Sequence, residues 1–354
     1  MTITLETLIA QIAPLDEFAM QAARERQDRL TKPQGSLGRL EALSIQIAGM
    51  TGQTCPRLVH KVVTVMAGDH GVTAEGVSAY PSEVTAQMVA NFLAGGAAIN
   101  VLARQTGARV LVVDMGVEAE LPVRDGLILK KIGSGTGNIA REAAMSRVQA
   151  ARAVLAGAEV VEAESACGLN ILIPGDMGIG NTTPSAAIAA AILGQAPGQI
   201  VGCGTGLDDA GRRHKVQVVE RALALHHPDP ADGLDVLAKV GGFEIAGLAG
   251  AMLAAASRRV PVLLDGFICT AAALLAVRLA PQTRDYLIAA HRSQERGHGL
   301  MLEWLGLRPL LDLDLRLGEG SGAALALPLV EAACRLLDEM ATFGEAGVSE
   351  KEAV

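Results

Sequence analysis

LIPGDMGIGNTTPSAAIAAAIL, residues 172–193, opens as an unbroken apolar run, crosses three glycines and an Asn-Thr-Thr, and closes as an alanine-rich segment. The opening has the length and continuous hydrophobicity of a strand covered on both faces, and the close reads as a buried helix. Asn181 or Thr182 can cap that helix, and Pro184 suits its first turn. A strand, a glycine turn and a helix in this order are the repeating unit of an α/β fold with a parallel sheet.

Other stretches repeat the strand pattern: KVVTVMAGDHG (61–71), RVLVVDMGV (109–117), LNILIPGDMG (169–178), QIVGCGTG (199–206), RVPVLLDG (259–266) and DYLIAAHRS (285–293). Separated as they are by helical stretches, they predict a Rossmann-like parallel sheet of about six strands flanked by helices. Each ends in Gly, Asp, His or Ser. In open α/β sheets ligands sit beyond the carboxyl ends of the strands, so these endings propose a single site. The first 58 residues look helical, with a polar turn TKPQGSLGRLE at 31–41, and a last helix spans 328–340. This predicts a small helical domain from 1–58 plus 328–354, and a catalytic domain over 59–327.

Composition narrows the function classes. Aromatics make up 2% of the 354 residues, so the core must be built from Ala, Leu, Val and Ile. A net charge of -8, with no basic stripe, argues against nucleic acid. Residues 177–207 carry no charge, but Pro184, Pro197, Asn181, Gln195 and Gln199 interrupt them, which favours a core helix over a membrane span. The N-terminus has acids where a signal peptide needs basic residues, so a cytoplasmic location is expected. Five scattered cysteines without a C-x-x-C pair give no disulfide frame and no zinc site.

The turn at 175–181 offers free backbone N–H groups at a helix N-terminus, a place for a phosphate. An ordinary tight connection accounts for it equally simply. A second loop, GCGTGLDDAGRRHK (202–215), adds Gly204, the Thr205 hydroxyl and Lys215, and two such loops can clamp one phosphate. No G-x-x-x-x-G-K-[ST] is present. Glu319 stands between two glycines in RLGEGSGAALALP (316–328), which leaves room for a ligand and makes it a candidate general base. The alternative is a carboxylate at a helix N-terminus. Asp69 and His70 read either as an acid/base or metal pair or as strand-end hydrogen bonding. In VSAYPSEVTAQMVANFLAGGAAIN (77–100), Ser78, Tyr80 and Gln87 can contact a flat ligand.

Eight ordered motifs, KPQGSLGRLE, AGDHGV, S-A-Y-P-x-x-V-T-x-Q-M, GDMGIGNTTPSA, GCGTGLDD, LLDGFICTAAAL, HRSQERGH and LGEGSGAALALP, run from Lys32 to Pro328, within a resemblance that extends over about 32–340. In that order they resemble the nicotinate-nucleotide:dimethylbenzimidazole phosphoribosyltransferase family. The resemblance implies transfer of ribose 5-phosphate from nicotinate mononucleotide to 5,6-dimethylbenzimidazole with inversion at C1', by a homodimer without metal or cofactor. It implies Glu319 as the base and a flat acceptor at Ser78, Tyr80 and Gln87. The phosphate would lie at Gly178, Gly180, Asn181, Gly204, Thr205 and Lys215, with Ser293 near the donor. The family usually carries Glu where Asp176 stands, so Asp176 is a secondary site residue with a shorter reach. A related transferase using a purine or a phenol, or a non-catalytic nucleotide sensor, are the competing readings.

Overall fold

The computed structural model describes residues 4–204 and 206–349. The central sheet holds β1 (Lys61–Gly68), β2 (Arg109–Gly116), β3 (Leu127–Leu129), β4 (Ile171–Met177), β5 (Val262–Leu264) and β6 (Leu287–Ala289). All neighbours pair in parallel, in the order β3-β2-β1-β4-β5-β6. The chain moves outward from β1 in one direction and then returns to build from β4 in the other. The crevice at this reversal, between the carboxyl ends of β1 and β4, is where such sheets bind ligands.

The helices are α1 (Leu5–Ala10), α2 (Glu17–Arg29), α3 (Arg39–Thr51), α4 (Val84–Ala94), α5 (Ala98–Thr106), α6 (Arg147–Ala166), α7 (Thr182–Leu193), α8 (Pro197–Ile200), α9 (Asp209–His226), α10 (Gly233–Val240), α11 (Phe243–Ser257), α12 (Phe267–Leu279), α13 (His298–Leu305), α14 (Ser321–Glu339) and α15 (Phe343–Ala346). The uncharged run at 177–207 is thus the end of β4, the buried α7 and the short α8. The apolar stretch Val84–Thr106 is two helices of 11 and 9 residues, each shorter than the roughly 20 residues a bilayer span needs.

Two expectations about strands are corrected. QIVGCGTG (199–206) forms no strand among its described residues: Pro197 starts the short α8, and the Val201 N–H donates back to the Pro197 carbonyl. Gly204 and Gly206 then take positive φ, which breaks any extended run. The sixth strand is instead β3, three residues pairing with the outer edge of β2.

The alanine-rich core works by close approach. α11 is buried from Phe243 to Ala256 and lies against α6 and over β1, β2 and β4. Gly157 and Gly250 set the spacing, since a Cβ on Gly157 would overlap the Gly247 carbonyl and one on Gly250 the Val154 carbonyl. α14 covers β4 and packs on α3 and α5. α2 joins that group through Arg26, whose guanidinium donates to the carbonyls of Leu337 and Asp338.

Gly250→Ala should lower stability by about 1–3 kcal/mol through overpacking, although alanine is the better helix former. Chemical denaturation reads this directly, and an unchanged or raised midpoint would show that the two helices do not meet at this residue.

Candidate active site

The carboxyl end of β5 delivers Asp265, buried at 1% exposure. Its Oδ2 accepts the Gly320 N–H at 3.1 Å and its Oδ1 the Ala323 N–H at 2.9 Å. Asp265 therefore caps α14 from another part of the chain, which the helix needs because its own cap, Gly320, has no side chain. The residues just before α14 form a left-handed turn: Gly318, Glu319 and Gly320 have φ of 85°, 65° and 89°. Such a φ is rare for glutamate and costs about 1–3 kcal/mol. Contacts on both sides hold it, because Gly175 of β4 packs on the Glu319 backbone so closely that a Cβ there would overlap the Glu319 carbonyl.

The Glu319 side chain is buried, and its Oε2 accepts the Ile99 N–H at the start of α5, 3.1 Å away. Burial raises its proton affinity above that of an ordinary carboxylate. The Ile99 N–H opposes this, and the nearby Asp265 charge adds to it. Asp176, at the end of β4, is pushed up to about 7 by burial first and then by Asp265, against the bond it accepts from Asn181 at 3.0 Å.

Asp176 borders a cleft of about 290 Å³ lined by Tyr80, Asp176, Asn181, Thr182, Gly204, Gly266, Phe267, Ile268, His291, Ser293, Glu295, Arg316, Leu317 and Gly318. One end is cationic. Lys215 is 1% exposed and donates to the Thr182 hydroxyl, beside Gly204. Arg316 donates to the Gly204 carbonyl at 2.9 Å. Burial draws the Lys215 ammonium down to about 8, while the Glu295 carboxylate and the Cys203 thiol oppose that shift.

The segment after β6 forms another wall. His291 and Arg292 make β7 (His291–Arg292), which pairs in parallel with β8 (Leu311–Asp312). Along 291–296 burial alternates: His291, Ser293 and Glu295 are buried and line the cleft, and Arg292, Gln294 and Arg296 are exposed. This is the two-residue period of extended chain. His298 fixes the segment, since its Nδ1 accepts the Ser293 N–H at 2.8 Å and its Nε2 lies 2.9 Å from the Thr270 hydroxyl. Burial, and then the neighbouring His291, push its pKa down to about 3, so the ring is neutral.

Related proteins cover nearly the whole chain. A family model described as phosphoribosyltransferase matches residues 12–348. The nicotinate-nucleotide–dimethylbenzimidazole phosphoribosyltransferase of Roseiflexus sp. (strain RS-1) is 63% identical over 347 residues, covering 98% of each chain. The like-named protein of Desulforudis audaxviator is 58% identical, also over 98% of each chain. A crystal structure of the Thermus thermophilus enzyme of that name is 51% identical, with a TM-score of 0.90 over 95% of this chain and all of that one. This chain belongs to the nicotinate-nucleotide–dimethylbenzimidazole phosphoribosyltransferase family.

In this family member the cleft collects five of the residues singled out from the sequence: Tyr80, Asp176, Asn181, Gly204 and Ser293. Lys215 stands directly behind Thr182 and Gly204. Ser78 is half-buried and accepts the Tyr80 N–H at 3.2 Å, and Gln87 is exposed on α4. Gly178 and Gly180 also pack tightly: a Cβ on Gly178 would overlap the Gly68 carbonyl, and one on Gly180 would crowd Thr73. Thr205 lies outside the described residues. Glu319 does not line the cleft with its side chain, although its neighbour Gly318 does.

Asp69 and His70 turn out to be strand-end bonding groups. Asp69 accepts the Glu118 N–H at 2.8 Å, and His70 Nε2 lies 2.7 Å from Glu244 Oε1 in a buried pair. Burial alone would lower the proton affinity of His70, but the Glu244 carboxylate outweighs it and raises it. Asp176, Asp265 and Cys269 bring ligand-type atoms within 4.8 Å of one another, the one such cluster among the described residues. Cys269 Sγ already lies 3.4 Å from the Pro174 carbonyl. Sequence reasoning missed Arg316, His291 and Glu295. The H-x-S-x-E alternation in HRSQE was the signal that would have found the last two.

Lys215 makes the cationic end pH-sensitive. The ammonium is charged below about 8 and neutral above it, so affinity for a phosphate dianion should fall as pH rises through 8. Calorimetric titration with ribose 5-phosphate between pH 7.5 and 9.5 would show that loss (roughly the window set by the lowered ammonium). Lys215→Met should bind weakly at every pH, and a pH dependence surviving in that variant would remove Lys215 as its source.

Proposed function

We propose that the chain transfers the ribose 5-phosphate of nicotinate mononucleotide to 5,6-dimethylbenzimidazole with inversion at C1', releasing nicotinate and α-ribazole 5'-phosphate. The observation that carries this reading beyond family membership is the division of charge around one cleft. Lys215, Thr182, Gly204 and Arg316 suit the 5'-phosphate, and the buried Glu319 belongs to the turn whose Gly318 lines the same cleft. Asn181 belongs to the donor side through its bond to Asp176, as does Ser293. Asp176 supports the ribose, its carboxylate one methylene shorter than the family's usual Glu.

The donor's base is a pyridinium, so it departs as a neutral ring nitrogen and needs no general acid. The acceptor nitrogen attacks the opposite face of C1', and a positive charge develops on the imidazole ring as the bond forms. Loss of the N–H proton from the other nitrogen to Glu319 removes that charge. A base poised above the ordinary carboxylate range serves this transfer better than an exposed one, and such positioned bases typically contribute about 10²–10⁴-fold. Tyr80, whose N–H donates to the Ser78 hydroxyl, borders the acceptor's place, and the reading adds Gln87 from α4 as a further contact.

The same reading takes 1–58 with 328–354 as a helical domain and 59–327 as the catalytic domain, in a cytoplasmic homodimer. The packing of α2 and α3 with α14 supports the first of these.

Glu319→Gln should lower kcat by roughly 10²-fold or more while leaving the donor KM within about twofold. The wild-type kcat/KM should fall on the acid side at a pH above the ordinary glutamate range, and that limb should vanish in the variant. Release of nicotinate from nicotinate mononucleotide in the presence of dimethylbenzimidazole is the measurement. Near-normal turnover by the variant would exclude Glu319 as the base, and competition with purine and phenol acceptors would assign the acceptor class.

A further inference from the structure

One buried acid in the cleft takes no part in the steps above. Glu295 is 7% exposed, and its Oε2 is buried with no hydrogen-bond partner among the described residues. Its carboxylate lies against the Gly202 backbone, where a Cβ would overlap Oε2, so only glycine at 202 leaves room for it. Its backbone N–H donates to the Ser293 hydroxyl at 3.3 Å, which holds this stretch of backbone at the cleft wall.

A carboxylate oxygen that stays bare when a ligand excludes water costs the full loss of its hydration. The ligand group that meets it must therefore be a hydrogen-bond donor. Resting on the transfer reading, the choice is narrow. At neutral pH the phosphate and ring carboxylate of nicotinate mononucleotide are anionic acceptors, and the pyridinium nitrogen is alkylated. The donors that remain on this substrate are the 2' and 3' hydroxyls of ribose, since the N–H of the acceptor is the proton assigned above to Glu319. Lys215 and Thr182 lie against Gly204, and Glu295 lies against Gly202 two residues away, so a sugar attached to a phosphate at Lys215 has Glu295 on the same stretch of wall. Asp176 has less capacity left, because it already faces the Asn181 amide and the Cys269 thiol.

We propose that Glu295 reads the ribose diol of the donor, its carboxylate accepting a 2' or 3' hydroxyl, and so selects ribosyl over deoxyribosyl donors. The test compares kcat/KM for nicotinate mononucleotide and its 2'-deoxy and 3'-deoxy analogues in wild type, Glu295→Ala and Glu295→Gln. Because deoxyribosides differ in intrinsic lability, the change in the ribo/deoxy ratio between enzymes is the readout. For at least one analogue, Glu295→Ala should shift that ratio toward the deoxy donor by about 10-fold to 10²-fold, the size of a hydrogen bond to a charged group. Glu295→Gln, which keeps an acceptor oxygen, should shift it less. If Glu295→Ala does not fold, the glutamine variant decides by whether its ratio moves at all.

A carboxylate that only balances the Lys215 charge would weaken all three donors alike. Ratios unchanged within about twofold for both analogues would therefore overturn the proposal. Failure of the transfer reading looks different, since wild type would then release no nicotinate from any of the three donors.

Discussion

The carboxylate of Asp265 is the tie on which the site depends. It stands at the carboxyl end of β5, accepts two backbone N–H groups at the start of α14, and lies 3.5 Å from His291 Nε2 on the segment that follows β6. Three separate parts of the chain thus meet on one buried anion. A negative charge at a helix N-terminus is favourable, and here it also closes the orphan donors left by a glycine cap. The same bonds hold Gly320 in place, and with it the left-handed Glu319 that the backbone would otherwise avoid.

That arrangement has an electrostatic consequence. Burial raises the affinity of Asp176 and Glu319 for protons, and the neighbouring Asp265 charge adds to that shift in both. Cations stand at Gly204, which Lys215 and Arg316 flank. One fold therefore presents an anion site and a set of proton-accepting carboxylates to a single ligand, through the crevice that the strand-order reversal opens.

The parts of the fold legible in the sequence were those whose local chemistry is unambiguous. β1, β2 and β4 are long apolar runs, and each formed where it was read. The run at 199–206 failed because apolar character without a neighbouring strand edge does not make a strand, and Pro197 and the positive-φ glycines favoured a short helix and loop. β3 was invisible because three residues carry no period. The turn at Glu319 could be read from its two flanking glycines, and the backbone does adopt it. His291, Glu295 and Arg316 were not found, because their roles depend on which face of an extended segment meets the cleft, a property of packing between distant parts of the chain. Gly178 and Gly180, read as room for a phosphate, also make room for the end of β1 and for Thr73, a packing demand that the sequence did not show.

A single displacement across this cleft has one stereochemical signature. The decisive measurement is the anomeric configuration of the ribosyl product, read by proton NMR at C1' after turnover of nicotinate mononucleotide with dimethylbenzimidazole. An α-riboside is the result expected from direct attack opposite the departing nicotinate. A β-riboside would contradict it, because retention requires a second displacement and a nucleophile that this assignment of Glu319 does not supply.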